Sequence, residues 1–431
     1  MRLLVISSLW PHSGHTVRAA NVVIYELVRA LAQHGSGTIG YLRVRRYGDP
    51  PQTEAEGVAA ARLRALGVEV LEEQCLPAPP KKRSAWRKLF APCRSDFYPE
   101  SIFASLISVA IAAFRPDVLL IPWSEWVTAL CADLSVAKFA YYGNPDHKAG
   151  RHRAAFDRRY GLSQYSWLRG TLYLRRLEQA HLEIMRHYEM VGDVAANDAQ
   201  YYQAQGHPNA FYVHNVWIDR LELEWKSLRA QHEQRMPVKI IANVGQLGAT
   251  ANRYGLEMLG AEVGPALRRM LHDIPYELHI LGNGELIAPL AQLLDSPEIH
   301  VRGFVDDIDR ELLESQAFLC LNNGGPFKVG HTRYLHAWSL GCCVVAHRHA
   351  ALSMPELQHR KTAMLGENAE EIAGLIREVL MNQGLRMEIG LGGYEAFRAH
   401  FVADRVAEEL WQQIYAWRRR SAGEMPMSQS K

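Results

Sequence analysis

The chain alternates short, wholly apolar runs with longer segments in which apolar residues recur every three or four positions. Leu3 to Ile6 is such a run, and Ala19 to Gln33 follows it with helical spacing. A continuous apolar run is typical of a strand buried on both faces, whereas helical spacing is typical of a core-facing helix. Strand, loop and helix in this order form the first half of a βαβ unit.

The same alternation continues along most of the chain, and it predicts two sets of strands with helices between them. Such alternation favours parallel sheets with helices on both faces. We therefore predict an α/β fold built from two Rossmann-like, doubly wound domains. The further strands predicted are 38–44, 117–122, 138–142, 189–196 and 210–214 in the first half, and 238–244, 277–281, 299–301, 317–321 and 342–346 in the second.

A charged segment before Val238 separates the two halves. We predict an N-terminal domain over residues 1–222, a C-terminal domain over 223–402, a terminal helix over 403–420 and a frayed tail over 421–431. Ligands of open α/β sheets bind beyond the carboxyl ends of the strands, and pockets favour domain interfaces. The two domains are therefore expected to face each other across a ligand-binding cleft.

Residues 48–100 interrupt the first domain with proline breaks and a basic stretch. Within residues 81–90, five Lys and Arg residues surround Trp86, Leu89 and Phe90. One interpretation is a solvated insertion with a short surface helix. The other is an amphipathic patch that makes peripheral contact with anionic lipid, where each cation contributes about 1 kcal/mol.

Composition excludes several classes of protein. The 431 residues are 48% hydrophobic and 22% charged, with a net charge of +2, so no global field favours nucleic acid. The six cysteines form no CxxC pair, which favours reduced thiols over a zinc site. The first apolar run is too short for a signal peptide, and no segment has the length of a membrane span. We expect a cytoplasmic protein, with peripheral attachment to the inner face of a membrane as the alternative.

Glycine-rich loops follow several predicted strands. Gly14 lies between the first strand and its helix, Gly245 and Gln246 open the second domain with Arg253 nearby, and Gly282 follows a later strand. Glycine permits a close approach of the backbone, and a helix N-terminus attracts anions. An ordinary βα loop is the alternative reading for each of them.

Two further loops carry polar chemistry. Residues 322–333 hold Gly325, Lys328, Gly330 and Arg333, which form a promising cradle for a diphosphate. In the first domain, Asp146 and His147 follow a strand in a predicted cleft loop, and they are our candidates for acceptor-side catalysis. The alternative is a capping Asp beside a solvated His.

Seven segments, in this order and spacing, carry a resemblance to a known family. The segments are LLVISSLWPHSG, RPDVLLIPW, VAANDAQYYQAQGHPNAFYVHN, NVGQLG, YELHILGNGEL, IHVRGFVDDIDRELLESQAFLCLNN and RYLHAWSLGCCVVAHRHAALSMPEL. Together they resemble the GT-B glycosyltransferases, in particular the large retaining family 4 group. The resemblance covers nearly the whole chain and is strongest over 238–417. It implies a nucleoside-diphosphate sugar held by the C-terminal domain, an acceptor held by the N-terminal domain, and a final helix that packs back on the N-terminal domain.

The chain departs from that family at its paired glutamates. Aligned on the segment that follows, those positions are Lys328 and His336, and the family's Arg and Lys after the domain's first strand become Gln246 and Arg253. We expect Lys328 to face the diphosphate and His336 to lie near the ribose. The resemblance favours retention of configuration without fixing it.

We therefore expect a glycosyltransferase of polysaccharide biosynthesis that moves a hexosyl or related sugar to a glycan, lipid-linked or small-molecule acceptor. Stabilisation of the departing diphosphate would be its main task. We expect no metal and no cofactor, since cations and backbone dipoles occupy the loops. A nucleotide-sugar epimerase or hydrolase, or a non-catalytic binding module, are the alternatives on the same fold.

Overall fold

The computed structural model describes residues 1–12, 19–35, 37–79, 94–162, 167–330 and 332–423. Gly14, the basic stretch 81–90 and residues 424–431 of the predicted frayed tail lie outside these described residues.

The first sheet is parallel, in the order β3-β2-β1-β5-β6-β7-β8, with β4 paired to β2. β1 and β5 are almost wholly buried, as their apolar runs predict. Chain order reverses beside β1, which places a crevice at the carboxyl end of that strand. The strands are β1 Arg2–Ser7, β2 Thr38–Arg45, β3 Glu69–Val70, β4 Gln74–Cys75, β5 Val118–Pro122, β6 Ala137–Tyr142, β7 Met190–Asp193 and β8 Ala210–Tyr212.

Helices cover both faces of this sheet. The two longest of them are α7, with 19 residues, and α1, with 16, and α6 begins at the carboxyl edge after β6. The helices described in this part are α1 Ala19–His34, α2 Glu54–Ala65, α3 Arg94–Phe97, α4 Ala104–Phe114, α5 Glu125–Cys131, α6 Asp146–Arg159, α7 Trp167–Met185 and α8 Ala196–Ala204.

The second sheet is also parallel, in the order β11-β10-β9-β12-β13-β14. Its strands are β9 Val238–Val244, β10 Tyr276–Leu281, β11 Ile299–Gly303, β12 Ala317–Cys320, β13 Val344–His347 and β14 Met364–Gly366. The helices are α9 Trp225–Ala230, α10 Thr250–Met258, α11 Gly264–Met270, α12 Ala288–Leu293, α13 Ile308–Leu313, α14 Thr332–Ser339, α15 Ala369–Met381, α16 Gln383–His400 and α17 Ala403–Ser421.

Two parallel sheets with helices on both faces confirm the predicted fold class. The reversal of chain order in the second sheet falls beside β9, which lies between β10 and β12. The loops after these three strands therefore meet at one edge, and they are the loops in which the sequence places Gly245, Gly282 and Lys328.

Two helices tie the halves of the molecule together. In α17, Leu410 and Trp411 are buried in the apolar core of the first sheet, and the Trp411 indole N–H donates to the Leu31 carbonyl at 3.2 Å. In α6, Phe156 is fully buried in the core of the second sheet, although its helix begins at the first. Each half thus contributes apolar surface to the other's core.

Three sequence predictions need correction. Residues 48–79 are part of the domain: a capping box of Thr53 and Glu56 starts α2, and β3 and β4 extend the sheet beyond β2. The strand predicted over 189–196 ends at Asp193, and Ala196 already begins α8. The single helix predicted over 255–271 is instead α10 and α11, joined by a π-helical turn at Leu259–Val263.

None of the helices in the described part of the chain combines the length and apolar character that crossing a membrane requires.

Candidate functional site

A cleft of about 790 Å³ opens where the two halves meet. On one side lie the loops after β9, β10 and β11 and the first turns of α13 and α14. On the other side lie Ala19 and Val22 of α1, and Trp217 and Arg220 of the connection between the sheets. The cleft is therefore at the carboxyl edge of the second sheet and is closed by the first half of the chain.

Backbone rather than side chains forms the floor of the cleft at the Gly245 and Gly282 turns. Both residues have positive φ, +114° and +149°, which strongly favours glycine. A side-chain carbon added at Gly282 would lie 1.7 Å from the Gly245 carbonyl oxygen, so the two turns are in contact. The Leu247 N–H donates to the Asn283 carbonyl at 2.8 Å and holds them together.

Arg333 lies in the first turn of α14 and faces the Gly245 turn. Its guanidinium donates to the Asn252 side-chain oxygen at 2.5 Å and to that of Asn243 at 3.4 Å. A side-chain carbon added at Gly245 would lie 3.4 Å from the Arg333 Nη2 atom. Burial lowers the pKa of Arg333, and among the described residues no carboxylate is paired with it. A partly buried cation with only neutral partners is suited to an anion that enters the cleft.

A charged triad lines another part of the cleft. The Asp309 carboxylate accepts from His336 at 2.5 Å and pairs with Arg220 at 3.3 Å, and the Trp217 ring lies 5.2 Å from the His336 ring. Burial alone would raise the pKa of Asp309, but the hydrogen bond from His336 and the charges of His336 and Arg220 lower it to about 2. Asp309 is therefore a fixed carboxylate in the cleft.

The structure brings together five of the residues predicted from sequence. Gly245, Gln246, Gly282, Arg333 and His336 all line the cleft.

Three predicted donor-site residues lie elsewhere. Arg253, expected beside the glycine turn, forms an ion pair with Asp157 of α6 at 2.7 Å. Gly325 packs against Tyr254, because a side-chain carbon there would lie 2.7 Å from the Tyr254 Cβ atom. Gly330 lies under the first domain, where the same carbon would be 2.5 Å from the Val194 carbonyl oxygen. These positions serve packing and domain contact.

Lys328 also turns away from Arg333. Its ammonium donates to the Asn323 carbonyl at 2.7 Å, to the Gly325 carbonyl and to His349 Nδ1 at 2.9 Å. It does not line the cleft that contains Arg333. The sequence predicts that Lys328 faces the diphosphate at that cleft, whereas the structure places its ammonium among loop carbonyls and His349.

Asp146 was expected in a cleft loop, but it begins α6. Its N–H donates to Glu125 Oε1 at 2.6 Å, and the other oxygen of Glu125 accepts from Tyr98 at 2.7 Å. The Asp146 side chain is exposed to solvent, and it is not among the residues that line the cleft. Partial desolvation by the surrounding protein, followed by the neighbouring Glu125 carboxylate, raises the pKa of Asp146 to about 7. Such a carboxyl exchanges protons near neutral pH.

His147 is buried beneath α6 and is only 1% exposed. Its Nε2 atom lies 3.3 Å from the Tyr201 hydroxyl and 3.6 Å from Glu178. Burial, and then the nearby His181, lower the pKa of His147. The sequence predicts that His147 acts with Asp146 on the acceptor side, but the structure buries its ring in the interior of the domain.

No group of three or more His, Cys, Asp or Glu residues in the described part of the chain is arranged to hold a metal ion.

The comparisons with known proteins agree with this geometry. The chain resembles several solved structures over nearly its full length. A glycosyltransferase from Rickettsia africae is 12% identical, with 97% of this chain and 98% of that one covered and a TM-score of 0.60. Sucrose-phosphate synthase from Thermosynechococcus elongatus is 15% identical, with 96% and 100% covered and a TM-score of 0.63. Anabaena HepE, solved in complex with UDP, is 12% identical, with 96% and 100% covered and a TM-score of 0.60.

The fold shared with these proteins is GT-B, two Rossmann-like domains around a cleft, as the sequence predicts. Residues 238–382, which make up most of the C-terminal domain, match the family model described as Glycosyl transferases group 1. The matched region includes Arg333 and the turns at Gly245 and Gly282. None of the curated protein sequences matches the chain.

Sequence reasoning missed Asp309, Arg220 and Glu125 as site residues. Asp309 stands in the run Asp306-Asp307-Ile308-Asp309, which predicts helix capping, and Asp307 does cap α13 by accepting from the Arg310 N–H. One signal was available: a helix start needs one capping carboxylate, and this run supplies two more. Arg220 and Glu125 stand alone in sequence, and only the fold gives them partners.

Proposed function

We propose that this protein is a glycosyltransferase that moves a hexosyl or related sugar from a nucleoside-diphosphate sugar to a glycan, lipid-linked or small-molecule acceptor. The observation that carries the proposal is Arg333, a partly buried cation with neutral partners, which lies beside the Gly245 turn in a cleft between two Rossmann-like domains. The matched group 1 family and the UDP held by Anabaena HepE support it.

In this proposal the diphosphate lies at the Gly245 turn. Arg333 would grip it by a bidentate, charge-assisted contact, and the first turn of α14 would point its free N–H groups at the same anion. Negative charge builds on the diphosphate as the glycosidic bond breaks, so these groups would act more strongly in the transition state than in the ground state. Because positive charge is already present, we propose that no divalent cation is required.

The nucleoside would lie toward Asp309 and His336. Phe304 and Trp217 line that part of the cleft, and Phe304 is 56% exposed, so both offer flat apolar surface to a base. The fixed Asp309 carboxylate, positioned by His336 and Arg220, is an acceptor for the hydroxyls of a ribose. In this arrangement the Asp309 carboxylate of α13 contacts the ribose, where the sequence analysis expects His336.

The acceptor would approach from the first domain, at the rim that holds Asp146. The ionised Asp146 carboxylate would accept a hydrogen bond from the attacking hydroxyl, and the neighbouring Glu125 would influence the pKa of Asp146. We propose retention of configuration on the basis of the family match. We place the reaction in the cytoplasm, where the sequence analysis expects the protein.

Turnover tests the proposal. The protein is incubated with the glucose derivatives of UDP, GDP and ADP, with and without an acceptor panel of alkyl glycosides and lipid-linked sugars, with and without EDTA. We expect release of one nucleoside diphosphate that requires an acceptor and is unchanged by EDTA.

Other outcomes separate the alternatives. Equal release without an acceptor would identify a hydrolase, and a changed sugar on an intact donor would identify an epimerase. Binding without turnover across the whole panel would leave a non-catalytic module. The anomeric configuration of the first product, read by NMR, decides between retention and inversion.

A further inference from the structure

Lys328 is the centre of a second cationic cluster, separate from Arg333. Its three contacts are the carbonyls of Asn323 and Gly325 and the His349 ring, all of them neutral acceptors. Within the described part of the chain no carboxylate forms an ion pair with Lys328, whereas Arg348 pairs with Glu367 at 3.0 Å. Burial lowers the pKa of the Lys328 ammonium to about 8, as expected for a partly desolvated charge that lacks a counter-ion.

One histidine contacts this ammonium, and two more lie next to the residues around it. The ring of His349 lies 4.6 Å from that of His347, and the His152 ring stacks at 5.2 Å on Phe327, the residue before Lys328. Burial, and after it nearby positive groups including Lys328, lower the pKa of His152 and of His347 to about 4. An anion bound beside Lys328 would favour the protonated form of these rings, so the histidines would strengthen the site as it fills.

The cluster opens to solvent where the two domains meet. His349 is exposed and Lys328 is half-buried. Close by, Gly330 lies under the Val194 carbonyl of the first domain, and the Ala196 N–H donates to the Ser353 carbonyl at 2.9 Å. Lys328 lies in the loop that leads into α14, five residues before Arg333, and five residues of chain span at most about 18 Å. An anionic group on a substrate whose diphosphate lies at Arg333 can therefore reach this cluster.

We propose that Lys328 and His349 form a second anion-binding site that takes a carboxylate or phosphate carried by the substrate beyond the donor's diphosphate. The anion has two possible sources, a uronic acid as the transferred sugar or a phosphate on the acceptor. This inference rests on the proposed function, because it assigns the diphosphate to the site at Arg333.

Calorimetric binding to four proteins tests the site: wild type, Lys328→Gln, Lys328→Arg, and Lys361→Gln as a matched lysine of the same domain with an exposed side chain. The probes are UDP, UDP-glucose, UDP-glucuronate, and decyl phosphate with and without saturating UDP. A charge-assisted hydrogen bond lost to a neutral side chain corresponds to about a 10- to 100-fold loss of affinity.

We expect Lys328→Gln to lose this factor for UDP-glucuronate if the donor carries the anion, or for decyl phosphate if the acceptor does. UDP and UDP-glucose should bind Lys328→Gln as they bind wild type, Lys328→Arg should keep most of the affinity, and Lys361→Gln should match wild type throughout.

The inference is overturned if neither anionic probe distinguishes wild type from Lys328→Gln. It is also overturned if Lys328→Gln loses as much affinity for UDP as for the anionic probes, because Lys328 would then stabilise the loop or bind the diphosphate. If no nucleotide binds wild type, with GDP and ADP also tried, the proposed function fails. Decyl phosphate without nucleotide then still reports on Lys328.

Discussion

At the residue scale, Asp146 is a carboxyl whose protonation changes near neutral pH. Its side chain is exposed, and Glu125 accepts a hydrogen bond from its backbone N–H. Because surrounding protein and Glu125 raise its pKa to about 7, a large part of Asp146 is protonated at neutral pH. Only the ionised form accepts a hydrogen bond from a hydroxyl without donating one.

We predict that kcat/KM rises with pH through about 7 in the wild type and that Asp146→Asn removes this limb. Activity of the variant should fall by about 100-fold or more, since a positioned proton acceptor contributes at least this much. The control is Asp295→Asn, which removes an exposed carboxylate of the other domain. A wild-type limb that persists in Asp146→Asn would assign the titration to another group.

Gly282 carries a second residue-scale prediction. Replacement by Ala would place a carbon 1.7 Å from the Gly245 carbonyl oxygen, so the two turns would have to separate. Gly284→Ala is the matched control, because Gly284 also has positive φ, +98°, but its nearest neighbour would be 4.0 Å away. We expect Gly282→Ala to weaken nucleotide binding by at least about tenfold, the effect of losing one good contact. Equal losses in both variants would mean that backbone strain alone matters.

At the scale of elements, the strands could be predicted and the site-bearing helix could not. β1, β5 and β9 are mostly apolar and almost wholly buried, because both faces of a parallel sheet are covered. In α6 only Phe156 is a large apolar residue among Arg, His and Asp side chains, so its helical period is invisible in the sequence. Asp146 and His147 were accordingly expected on a loop.

The glycine turns of the site could be predicted from the sequence. Side chains whose partners are distant in sequence could not. Gly245 and Gly282 could be predicted, since glycine directly after a strand permits the positive φ and the close backbone approach that such a site requires. Arg253 and Lys328 have the right charge, but nothing in the sequence shows that Asp157 neutralises one and that loop carbonyls hold the other. Asp309 and His336 are 27 residues apart and meet only in the fold, where their side chains form a hydrogen bond.

Phe156 tests the role of α6 as a connection between the domains. Its ring packs edge-on to Tyr254 at 5.1 Å in the second core. We expect Phe156→Ala to destabilise the protein by about 3–5 kcal/mol, the usual cost of such a buried cavity. The measurement is the denaturant midpoint, and Tyr47→Ala, at a 69% exposed ring, is the control. A midpoint equal to that of the control would show that α6 docks without Phe156.

At the scale of the whole molecule, one histidine joins three parts of the chain. His214, just after β8, contacts Glu356 of the second domain at 3.0 Å and Glu409 of α17 at 2.8 Å. Burial alone would lower the pKa of His214, but the hydrogen bonds to Glu356 and Glu409 raise it to about 9. The raised pKa means that the folded state binds this proton more tightly than the unfolded state does.

The stability from His214 should therefore be fully present below about pH 6.5 and lost as pH rises through about 9. We expect the difference in melting temperature between wild type and His214→Gln to be largest near pH 6 and to shrink steadily above neutrality. A difference that stays constant from pH 6 to pH 9 would mean that His214 is neutral in the folded protein.

The central claim is that the cleft between the domains binds a nucleoside diphosphate at Arg333. The most direct test is calorimetric titration of UDP, GDP and ADP into wild type, Arg333→Gln, and Arg377→Gln, a surface arginine of the same domain paired with Asp273. We predict that one nucleotide binds wild type and Arg377→Gln equally and binds Arg333→Gln at least about 10-fold more weakly. Equal affinity for all three proteins, or no binding of any nucleotide to wild type, would contradict the account.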